Sequence, residues 1–224
     1  MTAKFSKKGF IFDLDGTIID TTPIVIDYWT RFAEERQLDP NKILETSHGR
    51  RTIETFQKWA PELATESYVT ELEKKISLIR EGVTLLPGVM DLFNSIDAEC
   101  WTINTACTIA SARNRLQQFG IKIPEKMSTG DMLTFGKPHP EGYLKAAGFL
   151  CKPPGDCIVF EDAPAGVAAA RAAGMECIAC TTTHTFEQLK EAGATVIVSR
   201  LSSVSVEKEQ DGTFTIVVND VLQQ

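Results

Sequence analysis

The sequence lacks any apolar run approaching the roughly 18–20 residues that a membrane-crossing helix needs. Its opening, MTAKFSKKGF, has neither the apolar stretch nor the small-residue cleavage site of a secretory signal. Without such a signal, the six cysteines read as reduced thiols, and a cytoplasmic location is expected. There is no excess of positive charge: 23 Lys and Arg against 30 Asp and Glu leave a formal net charge of −7. That balance argues against nucleic acid or an anionic membrane as a general partner, though a local basic pocket can still grip one phosphate. Repeats and low-complexity tracts are absent. No second cysteine pair at zinc-site spacing accompanies Cys177 and Cys180. Those two thiols lie in a strand-like run, so they should face opposite sides of a sheet. What remains is a 224-residue chain, 43% apolar and 24% charged, sized for one large domain or a core with a small insert. A monomer acting on a small molecule is expected.

The chain alternates short apolar runs with helical patterns. Strands are expected at 9–13, 100–105, 157–162, 176–180 and 194–199, with amphipathic segments between the later ones, two of them stopped at Gly120 and Gly174. Continuous apolar strands separated by helices indicate an α/β fold, a Rossmann-like parallel sheet covered on both faces. From Thr22 to Gly82 no convincing strand occurs. Three helices are expected there: one opened by Thr22 and Pro23, one over "RRTIETFQKWA", and one from Pro61 to Gly82. This is a small helical cap inserted after the first strand, giving a core of 1–20 and 84–224 and a cap of 21–83. The tail "SVSVEKEQDGTFTIVVND" alternates on either side of Asp211-Gly212, a hairpin signal, and is expected to extend a sheet edge.

In an open α/β sheet, ligands gather at the carboxyl ends of the strands. The first apolar run ends in Asp13 and Asp15; residues two apart on an extended chain point the same way, so these like charges should crowd. Crowded carboxylates share a proton or hold a cation. The other strand ends decide between these. "CWTINT" ends in Thr105, followed by Ala106 and Cys107; "CIVFED" ends in Glu161 and Asp162; Lys137 lies in the loop "TFGKPHPE". Each is weak alone, since a Thr ending a strand often caps a helix and a Lys in a Pro-rich loop is usually only solvated. Together they suit a hard divalent cation such as Mg2+ on Asp13 and Asp162, with Asp15 counted in the same acidic set. Lys137 and Thr105 would complete a pocket for a tetrahedral anion.

"DLDGT", the strand-end Thr105, Lys137 in "GKPHP" and "FEDAPAG" resemble the four ordered motifs of the haloacid dehalogenase-type phosphohydrolases. The order spans the whole chain, and the helical insert falls where one type of cap sits in that superfamily. The resemblance implies that Asp13 is the nucleophile and Asp15 the general acid and base. It implies further that Thr105 and Lys137 hold the phosphoryl group, and that Asp162 binds Mg2+ with Glu161 supporting. Asp15 sets the chain apart from the dehalogenases themselves, which lack that acid. "SHGRRT" (47–52), "GKPHPEGYLK" and "VFEDAPAGVAAARAAG" are similar to the fungal glycerol-phosphate phosphatases and their 2-deoxyglucose-6-phosphate phosphatase relatives. Ala106-Cys107 departs from the Ser-Gly usual there.

The cap should supply selectivity. In "SHGRRT", Arg51 is expected to close on the substrate and His48 to orient it, with Arg50 read equally as a substrate contact or an exposed charge, and His184, in "TTTHTFEQL", as a loop residue. The expected activity is a Mg2+-dependent phosphatase of small polyol or sugar phosphates, glycerol 3-phosphate first and 2-deoxyglucose 6-phosphate second. Two rivals stand: a sugar phosphomutase on the same core, and a catalytically silent fold used as a binding module.

Overall fold

The computed structural model describes residues 1–222. β1 (Ala3–Lys7) precedes β2 (Gly9–Phe12), and a short β3 (Ile19–Asp20) leads into the helical segment. That segment holds α1 (Thr22–Glu35), α2 (Pro40–Ser47), α3 (Thr52–Trp59) and α4 (Glu66–Ser77), and β4 (Thr84–Leu85) closes it by pairing antiparallel with β3. The rest alternates: α5 (Val89–Ser95), β5 (Trp101–Ile103), α6 (Ile109–Gln118), α7 (Glu141–Phe149), β6 (Cys157–Glu161), α8 (Pro164–Ala172), β7 (Glu176–Cys180), α9 (Phe186–Glu191) and β8 (Val196–Val198). β9 (Val204–Lys208) and β10 (Phe214–Val218) end the chain's regular structure.

The main sheet is parallel, in the order β5-β2-β6-β7-β8. β2 is apolar at every side chain because both its faces are covered. Phe10 and Phe12 face the cluster that holds Trp101, Ile103 and Phe160, whereas Ile11 faces Tyr143, Val159 and Val167. The same alternation separates the two thiols of β7: Cys180 lies in the first cluster and Cys177 in the second, both buried and free, as the strand reading expects. α6 and α8 stop at Gly120 and Gly174.

Three expectations change. The first strand of the chain is β1, outside the main sheet. The Asp211-Gly212 hairpin is present as β9 and β10, but it extends no edge of the parallel sheet. It joins β1 in a separate antiparallel sheet of order β1-β10-β9. Phe214, Ile216 and Val218 give that sheet one buried face, which packs on the same apolar cluster as Phe10. Among the described residues the helical segment has four α-helices rather than three. Asp39 accepts the Asn41 N–H at 3.0 Å and Pro40 takes the first helical position, so α2 starts where no helix was expected. The last helix begins only at Glu66, where Thr65 accepts the Tyr68 N–H at 3.3 Å, and Pro61–Leu63 forms a single tight turn. α1 starts at Thr22, flanked by Thr21, whose hydroxyl serves Asp15 instead of the helix end. These helices share an apolar cluster of their own, built on Trp29, Phe32, Ile43, Phe56 and Val69.

Candidate active site

β2 lies between β5 and β6, so three strand ends meet at one edge: Asp13 and Asp15 beyond β2, Thr105 beyond β5, Glu161 and Asp162 at the end of β6. At the centre is Lys137. Its Nζ donates to Asp13 Oδ1 and to Glu161 Oε1, both at 2.6 Å, and all three side chains are buried. Glu161 is saturated. Its Oε1 also accepts the Tyr143 hydroxyl at 2.7 Å, and its Oε2 accepts the N–H groups of Asp162 and Ala163 at 2.9 and 3.0 Å. Burial would raise the Glu161 carboxyl, but Lys137 and these donors hold it below its usual range. Burial likewise pulls on the Lys137 ammonium, and the two carboxylates more than offset it, so it stays charged.

Asp13 and Asp162 have the opposite balance. Burial raises both; Asp13 reaches about 7 despite Lys137, and Asp162 goes well above its ordinary value with Glu161 and Asp13 adding repulsion. Asp162 Oδ1 accepts the Thr17 hydroxyl at 2.9 Å, and Oδ2 accepts the Thr183 hydroxyl. Gly16 adopts a left-handed φ of +89°, and a Cβ there would come within 2.2 Å of Asp162 Oδ2, so only glycine turns the chain this tightly around the acid.

Oxygens of Asp13, Glu161 and Asp162 lie within 4.8 Å of one another, which is the donor chemistry a hard cation wants. With Glu161 committed to Lys137, Tyr143 and the backbone, Asp13 and Asp162 are the side chains that fit such an ion. The Asp15 carboxylate is outside this group: it accepts the Thr21 hydroxyl at 2.8 Å and lines the cavity. The crowding read from "DLD" therefore arises between neighbouring strand ends, and Asp15 is the smallest of the named influences on Asp13. Burial raises the Asp15 carboxyl too.

A cavity of about 130 Å³ lies between the helical segment and the strand ends. Asp13, Asp15 and Thr105 line it from below, and His48, Arg50 and Glu73 from the helices. Thr105 Oγ1 accepts the Cys107 N–H at 3.2 Å, and burial keeps the Cys107 thiol neutral by pushing it well up. His48 is partly buried with its ring held below its usual pKa by desolvation; its Nε2 has no hydrogen-bond partner. Arg51 does not line this cavity. Its guanidinium donates to the carbonyls of Gly130, Leu133 and Thr134 and to Glu54, at 3.3, 2.6, 3.0 and 2.8 Å. Glu54 in turn accepts the Gly136 N–H at 3.0 Å, beside Lys137. Arg51 instead bridges the helical segment and the core, beside a small adjoining pocket that Thr105 and Lys137 also line, and of the two arginines in this loop it is Arg50 that reaches the main cavity.

The profile of haloacid dehalogenase-like hydrolases matches residues 7–174. The chain belongs to this hydrolase family. Glycerol-1-phosphate phosphohydrolase 2 of Saccharomyces cerevisiae is 36% identical over 88% of this chain and 83% of its own. 2-Deoxyglucose-6-phosphate phosphatase 1 of the same yeast is 33% identical over 98% of each chain. Among solved structures, a hydrolase from Pseudomonas syringae superposes with a TM-score of 0.74 over 88% of this chain and 95% of that one, at 24% identity, a likeness of fold. Within the haloacid dehalogenase-like frame, Asp13, Asp15, Thr105, Lys137, Glu161 and Asp162 all come to one edge. Sequence reasoning missed Thr17, Tyr143, Thr183 and Glu73. Thr183 could have been found, because it follows the carboxyl end of β7. His184 does lie in a loop, yet its ring is 6.1 Å from His48, and its Nδ1 is 3.2 Å from the Asp162 carbonyl.

Proposed function

We propose that this hydrolase is a Mg2+-dependent phosphatase of small polyol or sugar phosphate monoesters that works through an aspartyl-phosphate on Asp13. The reading takes 1–20 and 84–224 as a catalytic core and 21–83 as a cap. It takes a monomer in the cytoplasm as the working form. The single observation that carries it is the Lys137 ammonium at 2.6 Å from a buried Asp13, with Asp162 alongside and a cavity above. When bound, Mg2+ would offset the negative charge of Asp13, Asp162 and a phosphoryl group so that a carboxylate can approach phosphorus.

The residues divide the work. An Asp13 oxygen attacks phosphorus, forming the Asp13–phosphorus bond as the bond to the leaving oxygen breaks. Asp15, kept protonated more readily by burial, gives its proton to that leaving oxygen. As carboxylate it then takes a proton from the water whose oxygen attacks phosphorus, and the Asp13–phosphorus bond breaks. Thr105 and Lys137 hold the phosphoryl oxygens; the carboxylate pairing of Lys137 keeps its charge fixed. His48, neutral, offers Nε2 as an acceptor for a substrate hydroxyl.

The names of the yeast relatives support glycerol phosphate as the first substrate to try and 2-deoxyglucose 6-phosphate as the second. The test is phosphate release from a panel of monoesters, with and without EDTA and with Mg2+ restored. Release from polyol and sugar phosphates that stops in chelator and returns with Mg2+ is the expected result. Faster turnover of nucleotides or phosphopeptides than of every polyol and sugar phosphate would overturn the substrate assignment. Full activity in excess EDTA would overturn the metal.

A further inference from the structure

A third carboxylate lines the cavity, this one from the helical segment. Glu73 on α4 is 7% exposed, and its Oε2 accepts the N–H of Thr108, the residue that caps α6, at 2.6 Å. A helix N-terminus with free N–H groups ordinarily attracts anions. Here the next N–H, that of Ile109, is taken as well, by Asp131 at 3.1 Å. Two acids therefore take the first N–H groups of α6, and of the two it is Glu73 that lines the cavity.

The cations on the cavity wall are turned away from this space or exposed. Arg115 lines the cavity, but its guanidinium donates to the carbonyls of Ile76 and Ile79 at 2.8 and 2.5 Å and to Gln118 at 3.1 Å. Among the described lining residues that leaves Arg50, which is exposed. Lys137 belongs to the phosphoryl site itself. A second phosphate on a substrate, enclosed beside Glu73, would meet a like charge at close range, while the buried Arg115 guanidinium, turned onto the carbonyls of Ile76 and Ile79, offsets it only from a distance. A hydroxyl group would instead find acceptors: Glu73, the hydroxyls of Thr52, Thr55 and Ser111, and His48 Nε2.

We infer that Glu73 is a specificity-determining residue that admits uncharged, hydroxyl-bearing leaving groups and turns away substrates carrying a second phosphate. This deepens the phosphatase reading above and rests on it. It also bears on the phosphomutase rival, because a mutase must accommodate a bisphosphate in the same space.

The test uses one carbon skeleton with one or two phosphates, glycerol 1-phosphate and glycerol 1,3-bisphosphate, assayed for phosphate release with Mg2+. Glu73→Gln keeps a carbonyl acceptor for the Thr108 N–H and removes the charge. The readout is the ratio of kcat/KM for the two esters, in which any loss common to both cancels. Wild type should favour the monophosphate by on the order of 10- to 100-fold, the scale of one close like-charge contact in a partly desolvated site. Glu73→Gln should narrow that gap about tenfold, chiefly through a lower KM for the bisphosphate. Glu73→Asp, which keeps the charge, should keep the preference. Equal use of both esters by wild type, an unchanged ratio in Glu73→Gln, or the same collapse in Glu73→Asp would each overturn the inference. If no ester is hydrolysed, nitrophenyl phosphate included, the phosphatase reading falls by itself. Calorimetric Kd values for the same pair, on Asp13→Asn with and without Glu73→Gln, then decide the charge rule separately.

Discussion

Lys137→Met is the sharpest perturbation of this site, because it removes one charge from a buried group of four while nearly preserving volume. Lys137 and its partners Asp13 and Glu161 are 4%, 4% and 0% exposed at their side chains, so water cannot replace the ammonium. Breaking a buried ion pair by deleting one partner typically costs about 3–5 kcal/mol. For a chain of this length that is a fall in Tm of roughly 6–20 °C, at about 2–4 °C per kcal/mol. The cost must depend on pH. Lys137 holds Glu161 down and restrains Asp13, so without it both carboxyls rise in the folded state. An acid whose folded pKa lies above its unfolded value binds more protons folded than unfolded across that window. Stability then falls as pH rises through the window and is recovered below it. Calorimetry in chelator should therefore show a large deficit near pH 8 and a smaller one near pH 5. The chelator matters, since a divalent cation would offset the same charges. An equal deficit at both pH values, or one within about 2 °C of wild type, would refute the electrostatic account and reduce Lys137 to packing.

On the proposed mechanism, Asp13→Asn removes the attacking oxygen and should lower phosphate release by several orders of magnitude, measured against nitrophenyl phosphate, with folding retained by circular dichroism. Asp15→Asn should lower kcat by roughly 10²–10⁴-fold for an alkyl phosphate with little change in KM. That deficit should shrink for nitrophenyl phosphate, whose leaving group needs less protonation; equal losses on both esters would remove Asp15 from the acid role. Arg51→Ala should lower kcat/KM by about tenfold for polyol phosphate and nitrophenyl phosphate alike, because its guanidinium ties the helical segment to the core instead of reading the substrate. A loss confined to the polyol ester would return Arg51 to the cavity.

The parallel sheet was legible because Phe10-Ile11-Phe12 and Cys157 to Phe160 are short apolar runs without alternation, as in a strand covered on both faces, and helical patterns separate the later ones. β1 was not, because "AKFSK" has one large apolar residue and its partner β10 lies at the other end of the chain. The strand-end rule located Asp13, Thr105 and Asp162 from sequence. It could not say which acids crowd, since that depends on β2 and β6 being neighbours, with Phe12 opposite Phe160. Adjacent residues in a loop have no periodicity to set their direction, so nothing in "GRRT" distinguishes Arg50, in the cavity wall, from Arg51, outside it.

The contacts between the helical segment and the core explain why specificity and catalysis should be coupled. On one side, Glu73 reaches Thr108, Asn114 donates to Ser77 at 2.9 Å, and Arg115 holds the last turn of α4. On the other, Arg51 and Glu54 grip residues 130–136, and a Cβ at Gly136 would come within 2.6 Å of the Glu54 carboxylate. Both sets end beside the strand-end cluster: Thr108 follows Thr105 by three residues, and Gly136 precedes Lys137. A substrate too large for the cavity would strain these contacts and, through the same loops, shift Thr105 and Lys137, which hold the phosphoryl oxygens in the proposed mechanism. A small ester would leave them in place and, in the proposed mechanism, keep water out while the Asp13–phosphorus bond forms. On that mechanism the cavity would select small esters through the same contacts that position Thr105 and Lys137.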